Sequence, residues 1–199
     1  MSKVTRYLLI VFAVVLMASS AGAAELSLVG AGTFSNQALS AGGDSLSAKF
    51  GAGGGALLDA FFTPMTSLEI GGLYVNKKFD DTTSQFALSY NYLQVPVLFR
   101  VWFTRMFSVG AGGFWEHGMG TPTATPDAGG TALNTGFARA NDAGLEGSVG
   151  FRFRLGPGVK LLVDGRYLRG LTNLAGGGAT EYWSDIQALA GLSFSFGNH

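Results

Sequence analysis

The stretch Asp185-Ile186-Gln187-Ala188-Leu189-Ala190-Gly191-Leu192-Ser193-Phe194-Ser195-Phe196 decides how the rest of the chain is read. Ile186, Ala188, Ala190, Leu192, Phe194 and Phe196 alternate with Asp185, Gln187, Gly191, Ser193 and Ser195. A strand sends successive side chains to opposite faces, so this stretch has one continuously apolar face and one polar face interrupted only by Leu189.

The same alternation recurs upstream. Val159, Leu161, Val163 and Tyr167 oppose Lys160, Asp164 and Arg166, and Leu145, Val149, Phe151, Phe153 and Leu155 oppose Glu146, Ser148, Arg152 and Arg154. Phe107, Val109, Ala111 and Trp115 oppose Ser108, Gly110, Gly112 and Glu116, while Leu93, Val95, Val97, Phe99, Val101 and Phe103 oppose Gln94 and Arg100. Leu68, Ile70 and Tyr74 oppose Glu69, Gly71 and Lys77, and Phe50, Ala52, Ala56, Leu58 and Phe62 oppose Lys49, Gly51, Gly53, Gly55 and Asp59. With a first strand over Leu26 to Phe34, this predicts eight strands of about 9 to 11 residues, the length that crosses a bilayer at a tilt.

Composition points the same way. Of 199 residues only 13% are charged, against roughly 25% in soluble domains, which is too few to cover a water-facing surface. Thirteen bases balance thirteen acids with no basic run, which argues against a nucleic-acid partner. The chain has no cysteine, so disulfides, thiolate metal sites and a thiol nucleophile are excluded.

The N-terminus has Lys3 and Arg6, an apolar run from Tyr7 to Met17, and then Ala18-Ser19-Ser20-Ala21-Gly22-Ala23-Ala24. This is the build of a secretory signal peptide, residues 1–24, with cleavage after Ala23 or Ala24 and a mature barrel over 25–199. Short links at Thr63–Ser67, Thr104–Met106 and Gly156–Gly158 alternate with longer ones at Ser35–Ser45, Lys78–Ser84, Thr121–Asn141 and Asn173–Glu181. Short turns on one rim and long loops on the other are the layout of outer-membrane barrels of Gram-negative cell envelopes, with long loops extracellular and termini periplasmic.

On this register Lys49, Asp59, Glu69, Lys77, Arg100, Glu116, Glu146, Arg152, Arg154, Lys160, Asp164, Arg166 and Asp185 face a narrow lumen. The apolar face is the outer one, as lipid requires. The lumen charges are expected to pair, with Arg100, Arg152, Arg154 and Arg166 meeting acids such as Glu69, Glu116, Glu146 and Asp164. Phe50, Tyr74, Trp115 and Tyr167 form one aromatic girdle, and Phe62, Phe103, Phe107, Phe153 and Phe196 the other.

Two stretches carry a family resemblance. Tyr92-Leu93-Gln94-Val95-Pro96-Val97-Leu98 resembles a strand of PorT-like barrels, and Gly191, Phe194 and Phe196 in the last strand resemble the terminal signal read by the barrel-assembly machinery. The chain is thus similar to the outer-membrane β-barrel superfamily of small OmpA-like and PorT-like proteins. Departures are Ala190, where a polar residue is usual, and Gly197-Asn198-His199 after the last strand. The soluble peptidoglycan-binding domain that such chains often append is not expected here. The resemblance implies an all-β, eight-stranded antiparallel transmembrane up-and-down barrel, in contact with outer-membrane lipid and lipopolysaccharide.

Chemistry finds little support. His199 is the last residue, and His117 lies in Glu116-His117-Gly118-Met119 without a local serine partner for a nucleophilic site. Asp80, Asp81, Asp127 and Asp142 read as scattered loop carboxylates, short of a metal-ligand set. Gly53-Gly54-Gly55 and Gly176-Gly177-Gly178 lack the Gly-Lys-Ser/Thr of a phosphate loop. The expectation is a non-enzymatic barrel with no cofactor, a lumen filled by side chains and a structural or surface-interaction role, its long loops, 121–141 above all, offering a surface for a ligand. The alternatives are a small pore and, further off, a lipid-modifying hydrolase using His117.

Overall fold

A computed structural model describes residues 23–39, 46–81, 86–126, 133–134, 141–172 and 181–196. The strands are β1 (Ala23–Leu39), β2 (Leu46–Thr63), β3 (Thr66–Asp81), β4 (Phe86–Trp102), β5 (Phe107–Pro126), β6 (Leu133–Asn134), β7 (Asn141–Gly156), β8 (Val159–Gly170) and β9 (Glu181–Phe196). Eight long strands pair with their neighbours around a ring, β4-β3-β2-β1-β9-β8-β7-β5, and β5 pairs back with β4 to close it. The pairings are antiparallel throughout. The two-residue β6 lies outside the ring, paired to Thr123 and Ala124 of β5. Closure removes both sheet edges, so no row of backbone N–H and C=O groups faces lipid unpaired.

The strands are longer than the alternation predicts, from 12 residues in β8 to 20 in β5. The cause is that the backbone ladder outlasts the hydropathy pattern. The β1–β9 register runs to Leu39↔Glu181 and the β4–β5 register to Phe86↔Pro126. The apolar face marks only the part of each strand in contact with lipid, whereas hydrogen bonding continues for as long as neighbours stay in register. The stretches 35–39, 78–81 and 121–126 are therefore strand, not loop. Residues 1–22, which hold most of the expected leader, lie outside the described residues, and Ala23 and Ala24 already pair with Phe61 and Ala60 of β2.

The turn between β7 and β8 follows from its residues. Pro157 supplies the fixed φ that a tight turn needs, and Gly158 takes φ +70°, a conformation open to glycine at little cost. In β4, Pro96 has no N–H to give. The β3–β4 ladder keeps its register but skips from Ile70↔Val97 to Leu73↔Gln94, so Gly71 and Gly72 pair with β2 and not with β4.

The barrel is inside-out relative to a soluble one. Ile186 is 62% exposed and Leu145 60%, while Arg100 and Glu69 are at 1% and 0%. Rings form part of the exposed belt: Phe103, Phe107, Phe151 and Phe153 follow one another with centroids 5.8, 5.2 and 6.5 Å apart. At the opposite rim Phe34 meets Phe50 edge-on at 5.4 Å.

The lumen also holds an apolar cluster that the polar-face reading omits. Val29, Ala31, Leu57, Leu73, Val75, Leu162 and Leu189 are buried together between the ionic layers, and Phe61 and Trp102 pack with Ala23 below them.

Candidate functional site

Antiparallel neighbours put alternate residues of all eight strands into one narrow bore, and that bore sorts its charges into layers. Lowest, near the short turns, the Arg152 guanidinium reaches Glu25 Oε2 at 2.5 Å and also bonds Asp59. It lies 4.4 Å from the centre of the Trp102 ring, a cation over an aromatic face. Trp102 Nε1 donates to Ser67 Oγ at 3.0 Å, and Ser67 Oγ donates to Asp59 at 3.1 Å. Lys160 bonds the other oxygen of Glu25 from the rim.

Above this, Arg100 Nε donates to Glu69 Oε2 at 2.8 Å while its Nη2 bonds Asp164. Arg166 donates to Glu69 Oε1 at 2.8 Å and to Glu146 Oε1 at 2.9 Å. Two guanidinium forks thus share one carboxylate, the geometry that lets buried arginines satisfy several donors at once. Glycine makes the room: a Cβ at Gly150 would stand 2.9 Å from Arg100 Nη1, and one at Gly110 would stand 3.2 Å from its Cγ.

Higher still, Gln187 Nε2 donates to Gln94 Oε1 at 2.8 Å. Near the loop rim Lys77 Nζ reaches Glu116 at 2.7 Å and Asp185 at 2.6 Å, between the rings of Tyr92 and Trp183.

Three of these contacts join strands four places apart in the eight-membered ring, which is a full diameter. Arg152 of β7 meets Asp59 of β2, Arg166 of β8 meets Glu69 of β3, and Gln187 of β9 meets Gln94 of β4. Each is a bar across the bore, at a different height.

Of the residues assigned to the lumen from sequence, Asp59, Glu69, Lys77, Arg100, Glu116, Glu146, Arg152, Asp164, Arg166 and Asp185 are buried inside it, and Lys160 is 26% exposed at its mouth. Lys49 and Arg154 are corrections, since both are exposed. A register shift between Lys49 and Gly53 sets Lys49 opposite Lys78 instead of Phe79, and a slip of one residue turns a side chain to the other face. Arg154 stands where β7 runs past the lipid-facing belt into the turn, beside another register shift. The sequence reading assigns no individual partners; Arg100 and Arg166 meet acids of the expected set, Glu69, Asp164 and Glu146. Arg152 finds Glu25 and Asp59, and Glu116 belongs to Lys77.

Two lumen acids escape the sequence reading. Glu25 stands next to the expected cleavage site, and Asp142, read as a loop residue, opens β7 with its side chain 3% exposed and accepts the Ala143 N–H at 2.7 Å. Their signal was present: each is an acid two or four residues from inward positions of its strand. Adding them gives eight buried acids (Glu25, Asp59, Glu69, Glu116, Asp142, Glu146, Asp164, Asp185) against the buried bases Lys77, Arg100, Arg152 and Arg166.

His117 lies on the exposed rim, its ring stacked on Trp115 at 5.7 Å and its Nδ1 2.9 Å from Asn141 Oδ1. Neither contact supplies a nucleophile. Among the described residues no group of three His, Asp or Glu side chains is arranged to hold a metal ion. Of the assembly-signal residues, Gly191 sits on the seam between β9 and β1 opposite Val29, where a Cβ would strike the Leu28 carbonyl, and Phe196 faces out at 55% exposure. Phe194 pairs with Leu26. His199 lies outside the described residues.

A closed ring of eight antiparallel strands, apolar outside and ionic inside, defines a small transmembrane β-barrel of the outer-membrane type. No family model and no curated protein matches this chain in sequence. Solved structures do match in fold. OprG from Pseudomonas aeruginosa aligns with a TM-score of 0.53 at 12% identity, covering 89% of this chain and 97% of that one. Ail, the attachment invasion locus protein of Yersinia pestis, solved with the heparin analogue sucrose octasulfate, aligns with a TM-score of 0.51 at 14% identity over 86% and 99% of the two chains. Neisserial surface protein A aligns with a TM-score of 0.51 at 11% identity, over 86% and 97%. At these identities the likeness is one of fold.

Proposed function

We propose that this chain is an outer-membrane β-barrel whose lumen is closed to solutes and whose loop rim is its working surface, with no chemistry of its own. The three contacts across the full diameter of the bore carry this reading. Eight strands leave space only for side chains, and here that space is crossed by ion pairs and filled between them by Leu57, Leu73 and Leu189.

In this reading residues 1–24 are removed on export, and the long loops face the exterior. Both termini stay in the periplasm, as an even strand number requires. Gly191, Phe194 and Phe196 present the last strand to the assembly machinery, and Gly191 also keeps the β1–β9 seam close. The role is structural or interactive, with a ligand at the loops joining β5 to β7 and β8 to β9.

Swelling of proteoliposomes in sugars of graded size tests the reading. No swelling above that of protein-free vesicles is expected. Swelling that falls off with sugar size replaces the closed barrel by a transport one.

A further inference from the structure

The ionic layers of the bore differ in balance. Glu25 and Asp59 meet Arg152 and Lys160, and Glu69, Glu146 and Asp164 meet Arg100 and Arg166. At the loop end Glu116, Asp142 and Asp185 have only Lys77 among them, three buried carboxylates to one ammonium and so an excess of two acids.

Each of these three carboxylates has one committed oxygen and one left over. Glu116 Oε2 and Asp185 Oδ2 accept from Lys77 Nζ, and Asp142 Oδ1 accepts the backbone N–H groups of Ala143 and Thr172 at 2.7 and 3.3 Å. Glu116 Oε1, Asp185 Oδ1 and Asp142 Oδ2 are buried and accept nothing. A fourth oxygen joins them. Ser35 is 0% exposed, its Oγ makes no hydrogen bond, and it is the direct cross-strand partner of Asp185. Glu116 and Asp142 are cross-strand partners likewise. The four oxygens thus fall into two pairs, linked by Lys77. Buried polar atoms are nearly always hydrogen-bonded, so these acceptors call for a donor.

Lys77 shows what kind of donor the layer takes. Its ammonium sits between two carboxylates and over the rings of Tyr92 and Trp183, 5.0 and 5.5 Å from their centres. No three acids among the described residues are arranged around a metal ion, so the pairs suit a cation that brings its own N–H groups. Trp183 packs edge-on against Tyr90 at 6.0 Å, an aromatic bar across the full diameter on the loop side of Lys77. Toward β7 and β8 the wall is different. A Cβ at Gly170 would stand 2.4 Å from Asp142 Oδ2, so there the mouth is lined by a carboxylate and not by a ring. Deeper in, the Gln94–Gln187 bar and the cluster around Leu57, Leu73 and Leu189 end the space.

We propose that the loop end of the bore binds a short aliphatic diammonium, one ammonium taken by Glu116 and Asp142 and the other by Asp185 and Ser35. The inference deepens, and rests on, the reading of a closed barrel with a working loop rim. Two ammonium groups match the excess of two acids, and each brings the donors that the four oxygens lack. The site is a dead end, which makes it a place of binding and not of passage.

The test uses full-length protein refolded in neutral detergent at low salt, titrated calorimetrically with diaminobutane, its bis-trimethylammonium analogue, butylamine and magnesium chloride. The quaternary analogue keeps both charges and loses every N–H. Diaminobutane is expected to bind, and each of the other three about tenfold more weakly or less. Asp142→Asn is expected to lose about tenfold in affinity for diaminobutane. Ser35→Ala is expected to lose about fivefold, which keeps the test valid should Asp142→Asn misfold. Glu146→Gln alters a carboxylate of the middle layer that also has an unpartnered oxygen, and is expected to bind like the parent. No binding of diaminobutane overturns the proposal, as does equal affinity for any of the three comparison ligands. Undiminished binding by folded Asp142→Asn or Ser35→Ala, or an equal loss in Glu146→Gln, overturns it too. Entry of diaminobutane into proteoliposomes would sink the closed-bore reading itself, whereas vesicles that exclude it, made from protein that does not bind it, sink this inference alone.

Discussion

Glu69 and Arg166 are 97 positions apart in sequence and 2.8 Å apart in space, on strands that face each other across the full width of the barrel. The pair is 0% exposed on both sides, so it forms only if the bore is narrow enough for two side chains to span it. Removing one member of such a pair leaves a buried charge without compensation, which typically costs about 3 to 5 kcal/mol.

Arg166→Met is therefore expected to lower stability by that order, because Glu69, Glu146 and Asp164 all lose a partner. Urea unfolding in vesicles, followed by tryptophan fluorescence, reads the change. A second substitution, Glu146→Gln, removes one of the stranded carboxylates and is expected to restore part of the loss. If the double variant is less stable than Arg166→Met by the full cost of the single Glu146→Gln change, the two residues act independently and the layer is not a network.

The orientation of the wall is tested on β5. Ala111 is exposed between Val109 and Gly113 on the outer face, level with Phe99 and Gly147 on its neighbours. An arginine in mid-bilayer costs about 2 to 4 kcal/mol, falling to about 0 to 1 near the interface. Ala111→Arg should show the first cost and Met65→Arg, in the exposed β2–β3 turn, the second. Equal costs in a bilayer refolding titration would mean that Ala111 is not in contact with lipid.

Closure depends on a glycine. A Cβ at Gly191 would collide with the Leu28 carbonyl on the seam where the last strand meets the first. Gly191→Val should slow formation of the heat-modifiable band, and Phe196→Ala should reduce yield in the membrane while refolding in detergent stays normal. His199→Ala should do neither. If Phe196→Ala is inserted in cells as well as the parent, the terminal aromatic is not part of an assembly signal.

Much of this architecture is legible in the sequence because lipid imposes a strict period of two. Asp185 to Phe196 shows which face meets lipid, and the same alternation sets seven neighbours. The residues that mislead do so where the backbone departs from that period. Lys49 precedes a register shift in β2, and Arg154 precedes one at the end of β7. Glu25 and Asp142 are hidden for another reason. Glu25 stands beside the expected cleavage site and Asp142 next to the stretch read as a loop, so neither is counted in a strand although each stands in step with inward positions that follow it.

The lumen partners are unreadable for a deeper cause. Whether Arg152 meets Glu25 or Glu116 depends on the stagger of all eight strands around the ring, which no single strand encodes. Leu189 is legible as an exception on a polar face, whereas the other lumen leucines, Leu57, Leu73, Leu98, Leu162 and Leu168, are not singled out by the alternation. They fill the bore where the ionic layers leave gaps.

The closed lumen is tested most directly by planar-bilayer recording of the purified, folded protein beside Arg152→Ala/Arg166→Ala/Gln94→Ala, which removes one member of each bar across the bore. The account predicts no stable conductance from the parent, and brief, irregular openings from the triple variant if it folds. Steady channels of reproducible size from the parent, persisting after residues 127–132 are deleted, would contradict it.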